Sequence, residues 1–363
     1  MEPASPPRRQ QLEQGRFFLP GPTEIHPEVL AAQASQMIGH RGQAITELMA
    51  YIAAGMAEVF QTARPVIVSA SSASGLMEAA VRNGVAEGPM LSLVNGAFSG
   101  RFAEIGRACG KEVEVWEVEW GLAHSPFELD DRLSARHYDA VTLSHSETST
   151  GALQDLSQIA GVVAAHPDTL LLVDSVTGIG GVATYPDDWG IDFILTGSQK
   201  ALALPPGLAF ATGSEAMMER ARSIPDRGWY FDVDLLARGV ERNQTPATPA
   251  VSLLYALELQ LNRILSEGMK ARWDRHLEMQ AATIRWAERS GLGLLAPDGS
   301  RSPTVSCVVH PDPNRVVAEM AARGWVIGAG YGQVKDRTFR IGHMGDHTVD
   351  EVEALFTVLD EVV

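Results

Sequence analysis

LLLVDSVTGIGGVATYPDDWGIDFILTGSQK, residues 170–200, carries the reading of the fold. Leu170-Leu-Leu-Val-Asp174 is four apolar residues closed by an acid, the pattern of a strand buried on both faces with a polar residue at its mouth. Phe193-Ile-Leu-Thr-Gly197 repeats the pattern and leads directly to Lys200. If the two strands are adjacent, their ends bring an aspartate and a lysine to opposite edges of one flat ligand.

The same rhythm extends outward. Val66–Ala70, Met90–Val94, Glu112–Trp116, Ala140–Ser144 and Leu208–Thr212 read as further strands, and Gly75–Ala86, Gly100–Cys109 and Leu156–Ala165 as helices between them. Such alternation predicts an α/β fold, a mostly parallel seven-stranded sheet flanked by helices, with ligands bound beyond the carboxyl ends of the strands. After Pro249 a helical stretch runs from Val251 to about Arg289, interrupted by Gly268. Strand and helix patterns then alternate to the end, enough for a small α+β unit. The expected organisation is a mobile tail over 1–17, a large domain over 18–262 and a small domain over 263–363.

The 363 residues are 45% hydrophobic and 20% charged, a composition that supports a full core, and the net charge is −16. That field repels phosphate backbones and anionic lipid surfaces, so nucleic acid and membrane partners are not expected. Two cysteines, Cys109 and Cys307, cannot build a disulfide framework or a zinc site. No stretch approaches the ~18 apolar residues of a bilayer span. The expected location is the cytoplasm.

Lysines are scarce: four against twenty-five arginines. Three have a charged residue within two positions, and Lys200 alone lies in an uncharged segment, Thr196–Gly207. An apolar setting lowers an amine's pKa toward useful nucleophilicity. Asp174 either caps a turn or holds a pyridinium nitrogen protonated, which makes pyridoxal phosphate (PLP) an electron sink. Ser69-Ala-Ser-Ser-Ala-Ser-Gly75 joins a strand to a helix through small residues, so backbone N–H groups can approach an anion there. Neither a P-loop nor a dinucleotide fingerprint is present.

Phe98 follows the strand Met90–Val94, and hydroxyl-rich Ser144-His-Ser-Glu-Thr-Ser-Thr-Gly151 follows another, at the same rim. Arg340 sits mid-strand in Thr338-Phe-Arg-Ile-Gly342 with no acidic residue beside it, and a substrate carboxylate would satisfy it. His343 and His347 are separated by Gly345 and Asp346, which argues against a helical metal pair, and no metal is expected.

In order along the chain, Pro20-Gly-Pro-Thr23, Gly39-His-Arg41, His145–Gly151, Val173-Asp-Ser175, Thr196–Lys200, Pro205-Pro-Gly207 and Phe339–Gly342 resemble the class V PLP-dependent aminotransferases of fold type I. The likeness is to the alanine:glyoxylate and serine:pyruvate group, in its prokaryotic branch, and covers about Phe18 to Leu359. The resemblance implies Lys200 as the Schiff-base lysine, Asp174 as partner of the pyridine nitrogen, Phe98 and Val176 on the two ring faces, and Thr148 on the ring oxygen. It implies Ser72, Ala73, Ser74 and Gln199 on the cofactor phosphate, joined by Thr245 and Thr248 from a second subunit, hence a homodimer. Arg340 would clamp the substrate α-carboxylate, with Gly21, His40 and Arg41 in the substrate region. Two positions depart from the family: Ser71-Ser-Ala-Ser-Gly75 replaces a Ser-Gly-Ser-Gly turn, and Thr245 stands where some relatives have tyrosine.

The implied reaction is a ping-pong transfer of an amino group from alanine or serine to glyoxylate or pyruvate. Phosphoserine with 2-oxoglutarate is the alternative, with Arg41 or His40 meeting the extra anion. Lyase chemistry and a non-catalytic binding role stand behind these. Desulfurase chemistry needs a mobile cysteine, which neither Cys109 in a helix nor Cys307 in a strand supplies.

Overall fold

The computed structural model describes residues 12–363. Seven strands form the main sheet, in the spatial order Ile67–Ser69, Ala209–Gly213, Phe193–Gly197, Leu170–Asp174, Ala140–Ser144, Met90–Val94, Val113–Glu117. Ala209–Gly213 runs antiparallel to both neighbours, and every other pairing between adjacent strands is parallel. The mostly parallel seven-stranded sheet expected from the sequence is therefore present.

Period-two alternation sorts the strand residues onto two cores. Leu91, Leu93, Val141, Leu143, Leu171, Val173, Ile194 and Phe210 face one layer, built on helices Gln43–Phe60, Leu156–Ala164 and Val251–Glu267. Met90, Ala140, Leu170, Leu172, Phe193, Leu195, Ala209 and Ala211 face the other, built on Ala73–Gly84, Glu215–Ser223 and Val233–Glu241. Both faces are covered, which explains why the strands read as continuous apolar runs. Register aligns the strand ends: Ser144 opposes Asp174, and Asp174 opposes Leu195.

A second sheet of five strands has the order Phe17–Phe18, Val326–Ala329, Thr338–Gly342, Val305–Val309, Gly293–Leu294. Helices Met269–Arg289, Pro313–Ala322 and Val349–Leu359 pack on it around Trp286, Phe339 and Phe356. Of the expected tail, residues 1–11 lie outside the described residues. Its last residue, Phe17, is paired with Val326, and Phe18, fully buried, pairs with Ile327. The start of the expected large domain thus contributes an edge strand to the second sheet. The expected division at 262/263 falls within the helix Val251–Glu267, and the backbone break comes at Gly268, φ 82°.

Candidate active site

Lys200 leaves the strand Phe193–Gly197 on a short loop and is 8% exposed. Its Nζ donates to the Pro20 carbonyl at 2.5 Å. Thr23 fixes the loop on both sides, its N–H donating to Gln199 O at 3.0 Å and its Oγ1 to Lys200 O at 3.0 Å. Between them Gly21 has φ +100°, and a Cβ there would lie 2.4 Å from Lys200 Nζ, so only glycine lets the chain pass this close to the amine. Burial lowers the Lys200 amine to about 8, and the Arg340 guanidinium adds to the effect while Asp174 opposes it.

Asp174 ends the adjacent strand, buried, with Oδ2 accepting from Ser144 Oγ at 3.0 Å and Oδ1 from Val176 N–H at 2.9 Å. Burial raises its carboxyl to about 6, against the pull of those two donors. Val176, half-buried, is held by Thr196 Oγ1 donating to its carbonyl at 3.1 Å. Phe98 lies in the first turn of the helix Ala97–Ala108, its ring centroid 5.8 Å from Lys200 Nζ. Thr148 shares a hydroxyl contact of 3.2 Å with Thr177.

Arg340 lies mid-strand in Thr338–Gly342, as expected, and its partners are backbone carbonyls. It is half-buried, Nε donates to Ala329 O at 2.9 Å and Nη1 to Thr148 O at 3.2 Å, and no carboxylate pairs with it among the described residues. Two backbone carbonyls orient the guanidinium while leaving its charge uncompensated, which suits an incoming anion.

The helix Ala73–Gly84 begins at Ser72, whose side chain makes no capping hydrogen bond. Its hydroxyl and the free N–H groups of the first turn, Ala73 and Ser74 among them, remain open to an anion. A Cβ on Gly197 would lie 2.7 Å from Gln199 Oε1 and 3.4 Å from Ala73 Cβ, so Gln199 and the helix start converge on one spot. Thr245 and Thr248 line a groove with Ser69, Ala70, Trp229 and Tyr230, close in sequence to that helix start.

Lys200 thus sits beside Gly21 and Phe98 and within electrostatic reach of Asp174 and Arg340, Arg340 reaches Thr148, and Gln199 lies next to the start of the helix Ala73–Gly84. Arg41 is engaged elsewhere in the chain: it donates to Gln244 Oε1 at 3.1 Å, Thr245 O at 2.6 Å and Pro246 O at 3.1 Å. No hydrogen bond or ion pair among the described residues ties His40 to the Lys200 space. His343 bonds Ser306 Oγ at 2.9 Å, while His347 bonds Phe17 O at 3.0 Å and stacks on Phe18.

Sequence reasoning missed Glu147. Fully buried, its carboxylate accepts from Phe98 N–H, Ser99 N–H and Oγ, and Ser149 N–H and Oγ, with Ser149 Oγ at 2.6 Å and Ser99 N at 2.9 Å. It fills the N-terminus of the helix carrying Phe98 and so fixes that ring. Gly96 makes room for it: a Cβ there would lie 2.3 Å from Glu147 Cγ. The signal was an acid within an otherwise hydroxyl-rich turn. An amine that deprotonates near neutrality, a buried carboxylate and an unpaired guanidinium can together hold an amino acid and move a proton at its Cα.

Residues 23–355 match the family Aminotransferase class-V. An aminotransferase of Methanocaldococcus jannaschii is 36% identical, over 91% of this chain and 87% of its own. The alanine–glyoxylate aminotransferase of Oryctolagus cuniculus is 34% identical, over 95% of this chain and 91% of its own. The crystal structure of an alanine–glyoxylate aminotransferase from Nostoc sp. superposes with a TM-score of 0.90 at 31% identity, covering 100% of this chain and 97% of that one.

Proposed function

The chain belongs to the class-V aminotransferases and transfers an amino group to a keto acid, and we propose that it does so with PLP, using alanine or serine as donor and glyoxylate or pyruvate as acceptor. The observation that carries this reading is the placement of buried Asp174 and the uncompensated Arg340 within electrostatic reach of buried Lys200. The residues present fit the cofactor: an uncapped helix start for a phosphate, a flat aromatic for a ring and a buried acid for a ring nitrogen.

PLP, when bound, supplies an aldehyde that condenses with amines and a cationic ring that accepts the electron pair released at Cα. Lys200 Nζ is the attachment point, and its lowered pKa leaves a substantial uncharged fraction near pH 8. Once free, the same Nζ would take and return the proton at the donor's Cα. Asp174 would hold the ring nitrogen's proton; Ser144 and Val176 aim its two oxygens. Phe98 and Val176 would face the cofactor ring, and Ser72, Ala73, Ser74 and Gln199 would hold its phosphate. Arg340 would take the α-carboxylate, which would orient the donor's Cα–H bond toward Lys200 Nζ.

A small donor needs only Arg340 for its carboxylate, which favours alanine or serine. Of the two residues offered for phosphoserine's extra anion, Arg41 already donates to three oxygens of 244–246, which weighs against that alternative. We place a second copy of the chain over the groove at Thr245 and Thr248, where Trp229 is 62% and Tyr230 46% exposed. In that homodimer the two threonines reach the partner's phosphate site.

Borohydride reduction of the PLP-loaded protein followed by peptide mass spectrometry tests the assignment. A reduced cofactor adduct on the Lys200 peptide is expected. Its absence, or an adduct on another lysine, overturns the reading. A donor and acceptor panel then orders the substrates, and saturable activity with phosphoserine alone would replace the proposed donor.

A further inference from the structure

One wall of the space around Lys200 belongs to neither the main sheet nor its helices. The loop joining Val326–Ala329 to Thr338–Gly342 carries Tyr331 across to Phe98, where the rings stack at 5.6 Å with an interplanar angle of 16°. The Arg340 guanidinium carbon lies 5.5 Å from the same tyrosine ring. Lys200 Nζ is 5.8 Å from the Phe98 centroid. A donor with its amine at Lys200 and its carboxylate at Arg340 therefore has its Cα in a space that Phe98 and Tyr331 border.

The loop backbone at Tyr331 is tightly placed. A Cβ on Gly330 would lie 2.5 Å from Thr338 O, and one on Gly332, φ +60°, would lie 2.6 Å from Trp120. The ring is 40% exposed, and its hydroxyl makes no hydrogen bond among the described residues. Tyr331 also lines a cleft of about 510 Å³ with Arg101, Trp120 and Gln333, so the same residue borders both that cleft and Phe98.

We infer that Tyr331 is the specificity-determining residue that limits the donor's side chain to about the size of alanine or serine, a role that rests on the transamination reading above. Its ring occupies the volume that a longer side chain would need, and the cleft beyond offers that volume once the ring is removed. Steric exclusion of this kind discriminates by roughly 10- to 200-fold per methylene.

Tyr331→Ala and Tyr331→Phe test it on the PLP-loaded protein, by rapid-mixing absorbance of the first half-reaction with alanine, 2-aminobutyrate, norvaline and leucine. In Tyr331→Ala the kcat/KM ratio of norvaline to alanine is expected to rise about tenfold or more, while Tyr331→Phe keeps the parent ratio. Independently of turnover, dissociation constants for acetate, butyrate and hexanoate, read from the cofactor absorbance, should shift toward the longer chains in Tyr331→Ala alone. Unchanged ratios and an unchanged carboxylate series in Tyr331→Ala, with the parent active on alanine, overturn this inference and leave the transamination reading standing. A parent whose absorbance responds to no amino acid overturns both.

Discussion

Asp174→Asn separates the stability of the cofactor-free protein from its function. Burial raises the Asp174 carboxyl from its ordinary 3.8 to about 6. The folded state thus binds a proton that the unfolded state has released between those two pH values, so this residue's contribution to stability declines as pH rises through the window. Above it the cost reaches about 3 kcal/mol, two pKa units at about 1.4 kcal/mol each. Near pH 4.5 the same linkage gives only about 1 kcal/mol. The amide is uncharged throughout and keeps both contacts: its oxygen accepts from Val176 N–H, and its NH₂ donates to Ser144 Oγ. Cofactor-free Asp174→Asn should therefore unfold at higher urea than the parent at pH 8, by about 3 kcal/mol, with the gap shrinking by about 2 kcal/mol at pH 4.5. Urea titrations at both pH values and fixed protein concentration measure this directly. Amino transfer should fall in the same variant, because nothing then holds the ring proton. A variant less stable than the parent at pH 8, or a gap that does not change with pH, would refute the argument that desolvation governs this carboxyl.

Three further outcomes follow from the same geometry. The cofactor-free protein should capture an aromatic aldehyde at Lys200 with a pH midpoint near 8 rather than the ordinary 10.5, and Lys200→Ala should abolish the absorbance change. Gly21→Ala places a methyl group 2.4 Å from Nζ at φ +100°; it should cost about 1–3 kcal/mol of stability and reduce cofactor attachment, measured by spectral titration. Glu147→Gln turns an amide NH₂ toward N–H donors of the helix that carries Phe98; a loss of about 2 kcal/mol is expected by thermal unfolding, together with a weaker cofactor affinity.

The sequence showed most of what is locally encoded. Continuous apolar strands, small-residue turns and a lysine without charged neighbours are properties of short windows, and they located the sheet and Lys200 and placed the helix after the small-residue turn at Gly75, two residues beyond its start at Ala73. Arg340 was legible as a strand residue lacking an acid, but its actual partners, the carbonyls of Ala329 and Thr148, leave no trace in composition because every residue has a carbonyl. Glu147 acts on a helix 48 positions upstream in the chain, at Ser99, and no periodicity links the two. The strand Phe17–Phe18 is too short to carry a pattern, and its partner at Val326 is remote. What escaped sequence reasoning is the long-range pairing, which depends on topology rather than on residue type.

That pairing has a consequence for biosynthesis. Pro20, Gly21 and Thr23, which grip the Lys200 loop, follow directly on a strand whose docking edge, Val326–Ile327, leaves the ribosome more than three hundred residues later. A nascent chain can close the main sheet once Gly213 has emerged, yet the amine's surroundings stay unfinished until Val326–Ile327 has been made. Truncated products ending before Val326 should therefore be able to form the sheet while lacking the edge that anchors Phe17–Phe18, which makes the strand Val326–Ala329 a condition for arming the lysine.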